Sequence, residues 1–255
     1  FYVAWLMNHF TGRLYHLVRL QFQFNRFFGR IRIFRHRHDA RKVALSEPAI
    51  RFRADGQLWR EGDEEAGAWE SSLCQNGAGV TGNAIDPRGF ARRELLTLPA
   101  EEWELVVAPG DPVLNIHIPT AGPMDYELCR QSFEMVPGFF AKHFPDREWR
   151  CICCGSWLLN TALQELLPET SNMVRFQREM YLFPIGIGEE SLVRALFGEG
   201  ELDLASAPRD TTLRRAFLER KETGPPLRHG GGGCFIFMED FNWGAQVYLN
   251  QRMPW

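Results

Sequence analysis

No apolar run in the sequence approaches the roughly 20 residues that a membrane-spanning helix needs. No charged stretch followed by an apolar run reads as a secretory signal. Charge of one sign is not in excess either. Lys and Arg number 29 against 32 Asp and Glu, so a net charge of -3 gives no general pull toward nucleic acid or an anionic membrane. The two Cys-x(2–4)-Cys pairs of structural zinc are missing; three of the six cysteines crowd into Cys151-Ile152-Cys153-Cys154 with no second such pair, and His117 and His143 do not complete a ligand set. Adjacent side chains on a strand point to opposite faces, so those thiols are poorly placed for disulfides. Reduced thiols and a cytoplasmic location are the expectation, with no metal, no nucleic acid and no membrane as partners. There is no Gly-x-Ser-x-Gly elbow, so His229 before Gly230–Gly233 reads as a hinge rather than part of a hydrolase oxyanion hole.

What is present is ordinary globular material, 45% hydrophobic, with 20 Phe and 8 Trp that fill a core or line an apolar groove. The chain opens at Phe1 in what reads as mid-element, a short helix over 2–10. That pattern suits a fragment of a longer protein. Alternation from Leu14 to Phe24 predicts one strand, followed by strands at Ile31–Phe34 and Ala49–Phe52, the last closed by the turn Asp55-Gly56. These form an antiparallel meander. Residues 60–90 are polar and Gly-rich and read as a long loop. The basic stretch from Arg26 to Lys42 reads as a solvated hairpin face or a contact for phosphates, and His36-Arg37-His38-Asp39 as its tip.

The central block carries most information. Val113–Ile118 is a strand stopped by Pro119. A helix follows, starting near Asp125, with Leu128, Met135, Val136, Phe139 and Phe140 as its apolar face and a kink expected at Pro137-Gly138. Trp149–Cys154 is a second strand, and Ser156 caps a second helix that runs to Pro168. Strand–helix–strand–helix implies two parallel strands. Residues 186–255 supply C-terminal helices and strands, with helices at 189–197 and 208–221 and strands at 234–238 and 245–249. The fold class is therefore α/β (α+β): a mixed sheet with helices on both faces, in a single domain over 1–255.

Several motifs carry a resemblance. They are Gly110-Asp111-Pro112-Val113-Leu114-Asn115-Ile116-His117-Ile118-Pro119 with Gly122-Pro123, Phe139-Phe140 with His143-Phe144-Pro145, and Cys154-Gly155-Ser156-Trp157-Leu158-Leu159. Ser171-Asn172 with Arg175-Phe176-Gln177, the stretch Gly12–Phe22, and Glu239-Asp240-Phe241-Asn242-Trp243-Gly244 complete the set. Together they resemble a bacterial family of acyltransferase-domain proteins that pair a helical N-terminal domain with a GNAT-like C-terminal domain; this chain resembles the C-terminal part. The resemblance implies transfer of an acyl group from acyl-CoA to an amine, with a small-molecule substrate, and an N-terminal domain of its own or a second copy of the chain as partner. Members commonly carry His where Gly155 stands, and the GNAT signature Arg/Gln-x-x-Gly-x-Gly/Ala is absent. A domain that keeps the fold and only binds is the alternative.

In such a fold the two central strands splay, and the cofactor's arm bonds to their free edges. The pyrophosphate then sits at the next helix N-terminus. Ile118, Thr120, Ala121 and Gly122 are the implied cofactor-binding residues. His117 is the candidate base, because imidazole titrates near neutrality; anchoring of the loop is its other reading. Cys154 and Ser156 would meet the leaving thiolate or the acyl carbonyl, or serve as a small core residue and a helix cap. Trp157, Asn172 and Arg175 would line the substrate pocket, or pack, cap a turn and pair at the surface.

Overall fold

The computed structural model describes residues 7–8, 10–63, 65–119, 122–224 and 230–255. The predicted helix over 2–10, Thr120, Ala121 and His229 lie wholly or largely outside these residues.

The element that organises the rest is a six-stranded sheet. Its strands are β1 (Tyr15–Leu17), β2 (Leu20–Arg26), β11 (Pro112–His117), β12 (Ile152–Ser156), β13 (Tyr181–Phe183) and β14 (Gly232–Ile236), in the order β1-β2-β11-β12-β14-β13. All neighbours are antiparallel except β11 and β12, which are parallel as the sequence predicts. The strand expected over Leu14–Phe24 is a hairpin, folded at Val18-Arg19 with Leu17 opposite Leu20. Val18 takes a left-handed φ of 55° without the glycine or asparagine that signals such a turn. Ser132 Oγ accepts from the amides of Arg19 and Leu20 and so holds the turn from outside.

Helix α1 (Tyr126–His143) lies on one face of this sheet, where the Phe22 ring meets Phe133 and the Phe24 ring meets Phe140. It buries Cys129, Phe133, Val136 and Phe140, one stripe at helical spacing. The face is rotated from the expected one: Leu128 and Met135 are exposed, because small Cys129 and Ser132 take the positions against the sheet. The helix runs on through Pro137 to His143. The opposite face of the sheet, at Tyr181, meets a second sheet; the Tyr181 hydroxyl donates to the Ile85 carbonyl and accepts from the Ala44 amide.

That second sheet comprises β3 (Ile31–His36), β4 (Lys42–Ser46), β7 (Leu73–Asn76), β8 (Gly79–Asp86), β9 (Phe90–Pro99) and β10 (Trp103–Val107), with β5 (Arg51–Phe52) and β6 (Trp69–Glu70) paired beside it. It overturns the reading of 60–90 as a polar loop. The glycines of β8 are strand residues, and β8 pairs with β4, β7 and β9. The basic stretch is balanced across this sheet, Arg32 by Glu47 and Arg35 and Arg37 by Glu104. Two further expectations change. The helix expected from Ser156 to Pro168 is a 3-10 turn over Trp157–Leu159 followed by α2 (Leu163–Leu166). The strand expected at 245–249 is a helical turn over Val247–Asn250.

Gly230–Gly233 are not a hinge; all four are buried, and β14 begins at Gly232. A Cβ on Gly232 would come within 2.2 Å of the Leu159 carbonyl oxygen, and one on Gly233 within 2.4 Å of the Phe183 ring. Close approach, not flexibility, requires glycine there.

Lys42 is wholly buried between the two sheets. Its ammonium lies 2.7 Å from Glu239 and 3.0 Å from Asp240, donates to the Ala40 carbonyl, and sits 4.8 Å above the Phe237 ring. Tyr248 OH donates to Asp240 at 2.8 Å. The Glu239-Asp240 pair of the sequence motif thus clamps the segment after β14 onto β4. Lys42→Met leaves the half-buried Asp240 without its cation and is expected to cost about 2–4 kcal/mol in urea denaturation; a loss below about 1 kcal/mol contradicts the clamp.

Candidate functional site

The parallel pair is where the pairing of the sheet stops short. Its register holds at Leu114↔Ile152 and Asn115↔Cys153 and stops there. Both strands continue on their outer sides, β11 against β2 as far as His117↔Gln21, and β12 against β14 as far as Ser156↔Gly232. Beyond Asn115 and Cys153 the strands therefore run side by side without pairing. The Leu114 amide donates to the Cys151 carbonyl, so by the two-residue period of a strand Ile116 also turns its main chain toward β12. The Ile116 carbonyl is met by Cys154 Sγ at 3.3 Å, a thiol standing where a ladder amide would be. A thiol is a weak donor.

On the face that meets the second sheet, β2 and β11 present a polar row of Gln23, Asn115 and His117. His117 Nε2 lies 3.0 Å from Gln23 Oε1 and 3.2 Å from Asn115 Nδ2. One nitrogen cannot serve both at once. The tautomer protonated at Nε2 donates to Gln23, and the tautomer protonated at Nδ1 accepts from Asn115. Burial depresses His117 to about 4, so its ring is neutral at physiological pH. A neutral ring can accept a proton, and its depressed value makes it a weak base. Burial pushes Cys154 up to about 12, which keeps it a thiol and excludes a nucleophilic thiolate. Ser156 Oγ accepts from the Leu158 amide at 3.2 Å, the capping reading.

The loop from β11 into α1 is tied down by a residue that sequence reasoning missed. Arg19 is 8% exposed, and its guanidinium donates to the carbonyls of Pro119, Gly122 and Pro123. Gly122 is exposed at a φ of 81°, and Ile118 packs against the main core. Asp125 caps α1 through the Leu128 amide at 2.8 Å, and Glu127 pairs with Arg130. An anion at this helix start would meet both carboxylates.

The three candidate substrate residues do not form one wall. Trp157 packs between the main core and a smaller helical cluster. Asn172 is exposed at the start of α3 (Asn172–Arg178), which Ser171 caps. Arg175 lies 3.7 Å above the Tyr126 ring, at the first turn of α1, so it joins the helix start that the sequence assigned to phosphate. Tyr126 OH donates to Glu179 at 2.7 Å, and Glu179 accepts from the Gly244 amide. Gly155 follows Cys154 on β12; a Cβ there would come within 3.0–3.2 Å of Phe28 and Ile185. Among the described residues no cluster of His, Cys, Asp or Glu is arranged to hold a metal ion.

Residues 14–234 match the family described as the GNAT-like C-terminal domain. The chain belongs to this family. Among solved structures it is similar to an acyltransferase in complex with CoA and 10C-teicoplanin, at 19% identity and a TM-score of 0.53, over 92% of this chain and 49% of that one. It is similar to the same extent to an acyltransferase in complex with decanoyl-CoA and teicoplanin, at 20% identity, a TM-score of 0.53 and the same coverage. At this identity the likeness establishes the fold, and the chain spans about half the length of those proteins. No curated protein matches the sequence.

The depressed His117 has a measurable consequence. An unfolded imidazole titrates near 6.5 and the folded one near 4, so between those values the unfolded state binds more protons. Stability is therefore lost as pH falls through that window. Urea denaturation at several pH values should show wild type losing stability relative to His117→Gln from pH ~6.5 down to ~4; parallel pH curves for the two contradict the burial of His117.

Proposed function

We propose that this domain transfers an acyl group from acyl-CoA to an amine, with the thioester arm lying between β11 and β12. The observation that carries this is the end of their register at Asn115↔Cys153 while both strands continue outward. The family supports it, as do similar folds that hold CoA and decanoyl-CoA. In this reading an amide of the cofactor's arm takes the Ile116 carbonyl in place of the weak Cys154 thiol, and a stronger hydrogen bond replaces a poorer one.

The amine approaches from the face that carries Gln23, Asn115 and His117. Its nitrogen attacks the thioester carbon, the carbon–sulfur bond breaks, and CoA leaves. The proton shed by nitrogen passes to His117 directly or through one water, and Gln23 and Asn115 hold the ring to receive it. The neutral Cys154 and the capping Ser156 flank the gap and carry no covalent intermediate. Gly122 and Arg175 border the cofactor's phosphate end, with Arg175 as the cation there and Arg19 holding the loop. Ile118 leads into that end. An N-terminal domain, a second copy and a cytoplasmic setting belong to this same reading.

The rival, a binding domain without turnover, draws on Asp125 and Glu127 at the helix start. Calorimetry with acetyl-CoA, together with a thiol-release assay in the presence of amines, separates the two. Binding with turnover is expected, and His117→Ala should lower kcat by roughly 10²-fold or more while acetyl-CoA affinity is retained. Binding without release of thiol favours the rival, and no binding overturns both.

A further inference from the structure

Helix α3, helix α1 and the Glu239–Gly244 segment meet at one buried carboxylate. Glu179 caps the end of α3 and is 4% exposed. One of its oxygens accepts from the Tyr126 hydroxyl at 2.7 Å, and the other accepts from the Gly244 amide at 3.0 Å. Hydrogen bonds to a carboxylate are stronger than neutral ones, so the junction is firm. Tyr126 is the first residue of α1, and its ring lies against that of Trp243, with centroids 4.9 Å apart. Burial, and after it the bond to Glu179, pushes the Tyr126 hydroxyl up, so it remains a donor.

Arg175 stands one turn before Glu179 on the same face of α3. Its guanidinium lies 3.7 Å from the centre of the Tyr126 ring. The side chain is exposed and meets no carboxylate within 4 Å among the described residues, so the protein leaves its charge unanswered. A guanidinium resting on an aromatic ring is held in place while keeping donors for a ligand. The start of α1 needs such a cation from outside, because Asp125 and Glu127 set two carboxylates beside its free amides.

We propose that Glu179 is a positioning residue: by holding the Tyr126 hydroxyl it fixes the ring on which Arg175 rests, and so presents Arg175 to the phosphate groups of the acyl donor. The proposal rests on the acyl-CoA reading and adds to it the residues that set its phosphate end. Neither Glu179 nor Tyr126 touches the ligand; both act through Arg175.

Calorimetry on the full chain with acetyl-CoA, at several KCl concentrations, tests this. Arg175→Ala, at an exposed position, should weaken binding about tenfold at low salt and flatten its salt dependence. Glu179→Gln then reads a sign. By charge alone, losing a carboxylate near the site favours an anionic ligand. By position, the same change should weaken acetyl-CoA at least about threefold, flatten the salt dependence, and add nothing in the Arg175→Ala background. Tyr126→Phe keeps the ring, removes the bond, and should act in the same direction. It decides the case by the same outcomes if thermal melts show that Glu179→Gln has not folded. Unchanged binding by Arg175→Ala overturns the positioning role and leaves the acyl-CoA reading standing. So does tighter or unchanged binding by Glu179→Gln, or a loss that persists in full in the Arg175→Ala background. Failure of wild type to bind acetyl-CoA overturns both.

Discussion

Two parallel strands that share two paired positions and then stop pairing leave main-chain groups between them without ladder partners. Buried amides and carbonyls without partners cost free energy, so such a gap persists only where the flanking structure holds it open and something answers the exposed groups. Here both conditions are met. β11 is fixed along six positions by β2, and β12 along five by β14, so neither strand is free to close on the other. At the Ile116 carbonyl the answer comes from the Cys154 thiol, the weakest donor the protein has to offer.

The surrounding packing serves that opening. Phe22, Phe133 and Phe140 press α1 onto one face of the sheet, which fixes where the helix starts relative to the end of β11. Arg19 ties three carbonyls of the loop between them. On the other face the second sheet is fastened through Tyr181 and through buried Lys42 with Glu239 and Asp240. The close glycine contacts at 232 and 233 let β14 lie tight against its neighbours. The rigid parts bracket the gap, and the polar row of Gln23, Asn115 and His117 lies beside it.

Much of this was legible in the sequence, and the failures have physical causes. The strands at 113–118 and 149–154 and their parallel relation follow from period and order, and both lie within two or three residues of those observed. β8 was hidden because its glycines read as loop. β4 was hidden because Lys42 opens it, and a buried lysine announces itself only through partners two hundred residues away. The rotated face of α1 reflects Cys129 and Ser132, small residues that hydrophobic periodicity undervalues. Gln21 and Gln23 alternate with apolar residues in the sequence, but their alignment with Asn115 and His117 appears only once β2 is paired with β11. His117 and Cys154 both lie beside the end of the β11–β12 register, Ser156 is a cap, and Trp157, Asn172 and Arg175 are distributed over three places. Arg19 falls in the Gly12–Phe22 motif, but its hold on the Pro119–Pro123 loop was hidden because that stretch reads as one strand and its partners lie a hundred residues on.

The central claim is that the main chain at the end of β11 and β12 is a binding edge. Amide hydrogen exchange with and without saturating acetyl-CoA reads that edge directly. Slower exchange at Ile116–Ile118 and Gly155–Trp157 on adding the ligand, with the outer ladders unchanged, is the predicted result. Exchange at those amides that stays the same while the ligand is bound would place the cofactor elsewhere and contradict the account.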